Sequence, residues 1–187
     1  ILSDIGVPKD KKVIVHAGTQ KGRSSHYFLR YETADEYLEG ITELVNAVKK
    51  MEDVVLIIKF RDGETLSFEN LRKLVPNGNS FLQVVKKADL LVSFSSTTME
   101  EALEFNCPVL NYGAGGRLSF LPSVHITAEE PLKTHPSYFI KNESDLFFGI
   151  TKILKALDNE KLNDESLKDF VISDSDRMSL SSKIPRV

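Results

Sequence analysis

Four consecutive hydroxyl residues, Ser95, Ser96, Thr97 and Thr98, separate a short apolar run from a helix-like stretch. Leu90 to Phe94 has strand length and is broken only by Ser93. Thr97 with Glu100, and Thr98 with Glu101, each have the spacing of a capping box, which starts a helix here. Pro108 ends that helix, and Val109 to Tyr112 resumes a strand. A helix N-terminus carries unpaired backbone N–H groups and a partial positive charge, so one ringed by hydroxyls offers a seat for an anion. Glu101 lies one turn into the helix, within reach of a group held at the turn. A phosphate on the turn with a sugar hydroxyl on Glu101 fits a nucleotide diphosphate. Capping alone also accounts for these residue types, and at this point the two readings stand level.

The turn needs a frame to hold it. Lys12 to Ala17 reads as a first strand ending at Gly18, and residues 19–32 as a long polar loop with Tyr27, Phe28 and Tyr31. Thr33 caps a helix running to about Met51, with Glu36 at the capping-box position. Val54 to Phe60 is a second buried strand. Short helices are expected at 68–74 and 81–88, and Glu143 to Leu157 is strongly amphipathic, with Asn142 as its cap. Strands alternating with helices imply parallel βαβ units: an α/β fold with a Rossmann-like parallel sheet flanked by helices. In such sheets ligands sit at the carboxyl ends of the strands. Those ends here are Gly18-Thr19-Gln20-Lys21, Lys59-Phe60-Arg61, Ser95 to Thr98 and Tyr112 to Gly116. Cations, glycines and hydroxyls converging at one edge suit an anionic, hydroxylated ligand.

Bulk properties narrow the classes. The chain has 187 residues, 41% of them hydrophobic and 27% charged, the composition of a globular protein. Its net charge of −3 and lack of a basic block argue against a nucleic-acid surface. The single cysteine, Cys107, excludes an internal disulfide framework and suits a reducing, cytoplasmic compartment. It is expected to be a buried structural thiol. The histidines His16, His26, His125 and His135 have no metal-ligand spacing, so no metal is expected. His16 reads equally as a core residue and as a ligand contact. No apolar run is long enough to cross a membrane and no signal peptide is visible. The first residue is Ile, so the chain reads as a fragment or a domain.

The segment from Ser95 to Leu110 resembles the donor-site segment of GT-B glycosyltransferases and of UDP-N-acetylglucosamine 2-epimerases. In those families a hydroxyl or small-residue turn holds the diphosphate, a Glu before an Ala on the next helix binds the ribose, and a Gly-x-Pro-Val strand follows. Here Glu101 precedes Ala102, and Asn106-Cys107-Pro108-Val109 stands in place of Gly-x-Pro-Val. Asn tolerates the left-handed conformation that glycine serves there. Within the resemblance the nearest likeness is to surface-polysaccharide and wall-polymer transferases. Three looser matches accompany it. Val13 to Gly18 resembles the first strand and glycine turn of the donor domain. Leu56 to Phe60 resembles a strand that often ends in Lys-Pro-His, a pattern that Phe60 and Arg61 replace. Asn79-Ser80-Phe81-Leu82 resembles the loop whose backbone reads the base.

The resemblance implies a donor-binding domain over residues 1–160 and a polar tail or return helix over 161–187. It implies the site residues Gly18, Thr19, Lys21, Lys59, Arg61, Ser80, Phe81, Ser95, Ser96, Thr97, Thr98 and Glu101. The ligand implied is a nucleotide-diphosphate sugar or polyol acting as donor substrate, with no separate cofactor. The N-terminal acceptor domain of a full GT-B enzyme would be missing, so the isolated chain is expected to be inactive. Any peripheral membrane contact is expected of that missing part. A nucleotide-sugar 2-epimerase and a non-catalytic nucleotide-binding scaffold are the competing readings.

Overall fold

The computed structural model describes residues 2, 6–18, 33–59, 78–93, 98–113 and 121–159. Among these residues ten elements follow in chain order: β1 (Lys12–Ala17), α1 (Ala34–Val48), β2 (Val54–Lys59), α2 (Gly78–Val85), β3 (Leu90–Ser93), α3 (Thr98–Glu104), β4 (Val109–Asn111), β5 (Val124–His125), β6 (Ser137–Phe139) and α4 (Glu143–Asp158). The strands form one sheet in the order β2-β1-β3-β4-β6-β5, and every pairing is parallel.

Parallel strands buried on both faces read as nearly continuous apolar runs, as Val13-Ile14-Val15 and Leu90-Leu91-Val92 do. Alternate residues divide between the two faces. Ile14, Leu90, Val92, Leu110 and Tyr138 pack beneath Leu44 and Val48 of α1 and Leu146, Ile150 and Ile153 of α4. Val13, Val15, Leu91 and Val109 face the other way, onto Phe81, Val84 and Val85 of α2 and Met99 and Ala102 of α3. This is the doubly wound, Rossmann-like arrangement. Among the described residues, no helix is long and apolar enough to cross a membrane.

Local signals set the element ends. The Thr33 side chain accepts from Glu36 N at 3.2 Å and the Glu36 carboxylate accepts from Thr33 N at 2.8 Å, closing the expected capping box on α1. Asn142 stands at the N-cap of α4, but its side chain makes no cap bond and donates to the Asp145 carboxylate at 3.3 Å instead. Asn106 has φ 56°, so it supplies the left-handed residue that ends α3, as its place in the Gly-x-Pro-Val pattern suggests. At the amino edge, Asp89 accepts from Val13 N at 2.8 Å, and the Lys12 ammonium pairs with both Asp89 and Asp158, at 3.4 and 2.6 Å. That knot ties β1, β3 and the end of α4 together.

Cys107, in the α3–β4 junction, is 3% exposed. Burial, then the nearby Asp89 charge, pushes its thiol up to about 12. The thiolate is the reactive form. Folded protein at pH 8 should therefore resist alkylation by iodoacetamide, whereas denatured protein should be modified fully. Mass spectrometry of the two samples checks this, and equal modification would contradict the burial.

Candidate functional site

The sheet order defines where a ligand can enter. The chain leaves β1 toward β2 on one side, by way of α1, and β3 then takes its place on the other side of β1. Connections leave β1 and β3 in opposite directions, which opens a crevice above their carboxyl ends. Gly18 follows β1 directly, and the chain leaving β3 at Ser93 runs through Phe94 and the hydroxyl residues into α3. The sequence expectation of a ligand edge and the topological switch point thus fall at the same place.

The last register of the sheet crosses this edge as Lys59, Ala17, Ser93, Asn111, Phe139 and His125. Paired residues in a parallel register share a face, here that of α2 and α3. Ser93 Oγ donates to Ala17 O at 2.6 Å, so a buried hydroxyl fixes β3 to β1 at the crevice itself. Lys59 reaches over the Phe81 ring, with its ammonium 4.3 Å from the ring centroid. Phe81 is 2% exposed and packs in the core of this face, where it forms a platform for the lysine. Ser80 lies in the first turn of α2, which begins three residues before the sequence suggests.

Glu101 is half-buried, while Glu100 is exposed. Thr98, Met99 and Ala102 turn the inner face of α3 to the sheet, which leaves Glu101 on its flank and Glu100 outward. Helical side chains lean toward the N-terminus. For α3 that end lies at the carboxyl edge of the sheet. Its carboxylate has no hydrogen bond or ion pair to any described residue. Thr98 is buried as the first residue of α3. Thr19, Lys21, Arg61, Ser95, Ser96 and Thr97 lie outside the described residues, as does the loop 19–32.

Three further residues shape this edge: His16, whose role the sequence left open between core and ligand contact, and Tyr37 and Asn111, which it did not single out. His16 is buried on β1 and its Nδ1 bonds Val92 O at 3.0 Å. A carbonyl only accepts, so Nδ1 carries the proton. Tyr37, on α1, sets its ring 6.1 Å from that of His16. Asn111 is wholly buried, and its Nδ2 donates to Ser123 Oγ, Ser137 Oγ and Tyr138 O at 2.8, 3.0 and 3.1 Å. The Tyr138 carbonyl fixes the amide orientation, because it can face only the NH₂ group. Asn111 Oδ1 is buried with no hydrogen-bond partner among the described residues. An Asn inside an apolar strand was the available signal.

On the α1–α4 face of the same edge lies a cavity of about 270 Å³. Glu36, Glu39, Glu43, Glu143, Lys141 and Tyr112 line it. Tyr112 donates a short hydrogen bond to Glu43. Burial, then that bond, holds the phenol protonated, well above its ordinary range. No group of metal-ligating side chains forms among the described residues. A second cavity, of about 500 Å³, opens at the amino edge between Val7, Lys9, Lys12, Lys87 and Asp89. It faces away from the switch point, so it is not the candidate site despite its size.

No family model and no curated protein matches the chain. Solved structures do. The UDP-N-acetylglucosamine 2-epimerase from Neisseria meningitidis, bound to UDP-N-acetylglucosamine, superposes with a TM-score of 0.52 at 14% identity, over 88% of this chain and 44% of that one. S. aureus MnaA, in a co-structure with UDP, gives 0.50 at 15% identity, over 98% and 49%. The wall teichoic acid polymerase TagF gives 0.49 at 20% identity, over 90% and 39%. The chain therefore spans less than half the length of each. At such identities the likeness is one of fold. The chain has a Rossmann-like fold similar to part of the Neisseria meningitidis epimerase and of S. aureus MnaA.

Proposed function

We propose that this chain is the donor-binding domain of a GT-B glycosyltransferase, taking a nucleotide-diphosphate sugar or polyol for surface polysaccharide or glycan synthesis. The observation that carries the proposal is the switch point. The two strands that diverge there end at Gly18 and at Ser93, ahead of the hydroxyl residues 95–98, and Glu101 flanks the crevice with no partner among the described residues. In this reading the diphosphate lies across the turns at Gly18–Lys21 and Ser95–Thr98. Lys59 and Arg61 offset charge developing on the leaving diphosphate. Glu101 accepts from the ribose. Residues 1–160 form the donor domain and 161–187 the tail, and the acceptor side falls to a second domain outside residues 1–187. The cytoplasm, where activated sugar donors are made, is the compartment that fits.

Titration of the chain with UDP, followed by NMR, tests the proposal. Shifts should gather at Gly18, Ser93, Thr98 and Glu101, and pyrophosphate should compete. No binding of UDP or CDP at millimolar concentration would overturn it. A nucleotide-sugar 2-epimerase is the second reading, supported by the epimerase fold likeness. Product analysis with UDP-N-acetylglucosamine, on the full-length protein, separates the two: an epimerised sugar nucleotide points to the second.

A further inference from the structure

We infer that Tyr37 is the positioning residue of the glycine turn at β1, and that position 18 is glycine because of Tyr37. This inference rests on the nucleotide-binding reading of that turn. Gly18 does not occupy the left-handed region; among the described glycines, those with positive φ are Gly6 and Gly113. Backbone conformation therefore does not call for glycine at 18. Space does. A Cβ built on Gly18 would stand 2.0 Å from Tyr37 Oη and 3.1 Å from Cζ, while the next neighbour, Lys59 O, is at an ordinary 3.6 Å. The phenol oxygen rests directly on the Gly18 Cα.

The tyrosine is itself held. Tyr37 N donates to Thr33 O at 3.0 Å, inside the capping box that starts α1. Its ring flanks His16, which is pinned to β3 through Val92 O. One residue thus touches the end of β1 at Gly18, the capped turn that starts α1, and the histidine that bridges the two strands of the crevice. A phosphate bound at the Gly18 backbone N–H needs that backbone fixed to a fraction of an ångström. Tyr37 fixes it by contact.

The test is a swap of volume between the two residues, read by UDP affinity in solution. Gly18→Ala drives the new methyl against the phenol oxygen, and Tyr37→Phe leaves a gap over Gly18. Each alone should weaken UDP binding, Gly18→Ala by about tenfold or more. In the double variant the methyl added at position 18 takes the oxygen's place, after the ring edge shifts by a few tenths of an ångström. Affinity should return to within about threefold of the parent. A double variant as weak as Gly18→Ala, or a Gly18→Ala chain that binds like the parent, overturns the inference. If the parent binds no UDP, the functional proposal fails separately, and thermal unfolding of the same four proteins reads the contact. Recovery of Tm in the double variant supports the clamp; additive losses overturn it.

Discussion

Asn111→Asp is expected to lower the unfolding free energy at pH 7 by about 3–5 kcal/mol, the usual cost of leaving a buried charge uncompensated. Asn111 has no exposed surface, and its amide donates toward Tyr138 O and two serine hydroxyls. An ionised carboxylate cannot donate, so it would face the Tyr138 carbonyl as an unpaired anion in the interior. The protonated carboxyl can donate, so the effect depends on pH. Burial raises the pKa of the new carboxyl above its unfolded value of about 3.9. Below that value both states are protonated and the variant regains most of its stability. As pH rises, the unfolded state ionises first, and the deficit grows until the folded carboxyl ionises too. Paired urea titrations of parent and variant at pH 4.5 and pH 7 measure it. An equal gap at both values would mean that lost packing, not charge, sets the cost.

Glu101→Ala should weaken UDP binding by about 1–3 kcal/mol, the range of a lost hydrogen bond to a charged group. The half-buried carboxylate finds no partner among the described residues, so its acceptor capacity is open to a ribose hydroxyl. Glu100→Ala is the register control: it is exposed on the outer side of α3 and should leave affinity unchanged. Calorimetry with UDP on both variants, with Tm monitored, decides between them. A loss confined to Glu100→Ala would move the ribose contact by one residue. No loss in either would return both carboxylates to complementing the dipole of α3.

Where apolar runs meet capping signals, the elements were legible. β1, β2, β3 and β4, and the helices begun at Thr33 and Glu143, fall where periodicity and caps put them. β5 and β6 were not foreseen. Val124–His125 and Ser137–Phe139 are two and three residues long and carry His and Ser. They are strands because β4 offers an open edge, first to β6 and through it to β5, which no local pattern records. At the site, the switch point was legible as a set of strand ends. The strand order that makes β1 and β3 neighbours was not, because pairing of residues 76 apart leaves no local trace. Tyr37 was hidden by its helical spacing, which reads as core; its contact with Gly18 exists only in three dimensions.

The central position of β1 bears on how the chain is made. It is the first strand among the described residues, yet both of its edges are filled by later ones, β2 from Val54 and β3 from Leu90. At synthesis rates of about 5–20 residues per second, roughly 4–15 s separate the appearance of Ala17 from that of Leu90. For that interval Val13-Ile14-Val15 is an apolar ribbon with an unfilled hydrogen-bonding edge, the kind of segment that pairs with other nascent chains. Lys11 and Lys12, immediately before it, are the charges that interrupt such ribbons. Yield of soluble protein is therefore expected to respond to these flanking residues more than to the strand's own side chains, a selection pressure felt during translation and invisible in the finished sheet.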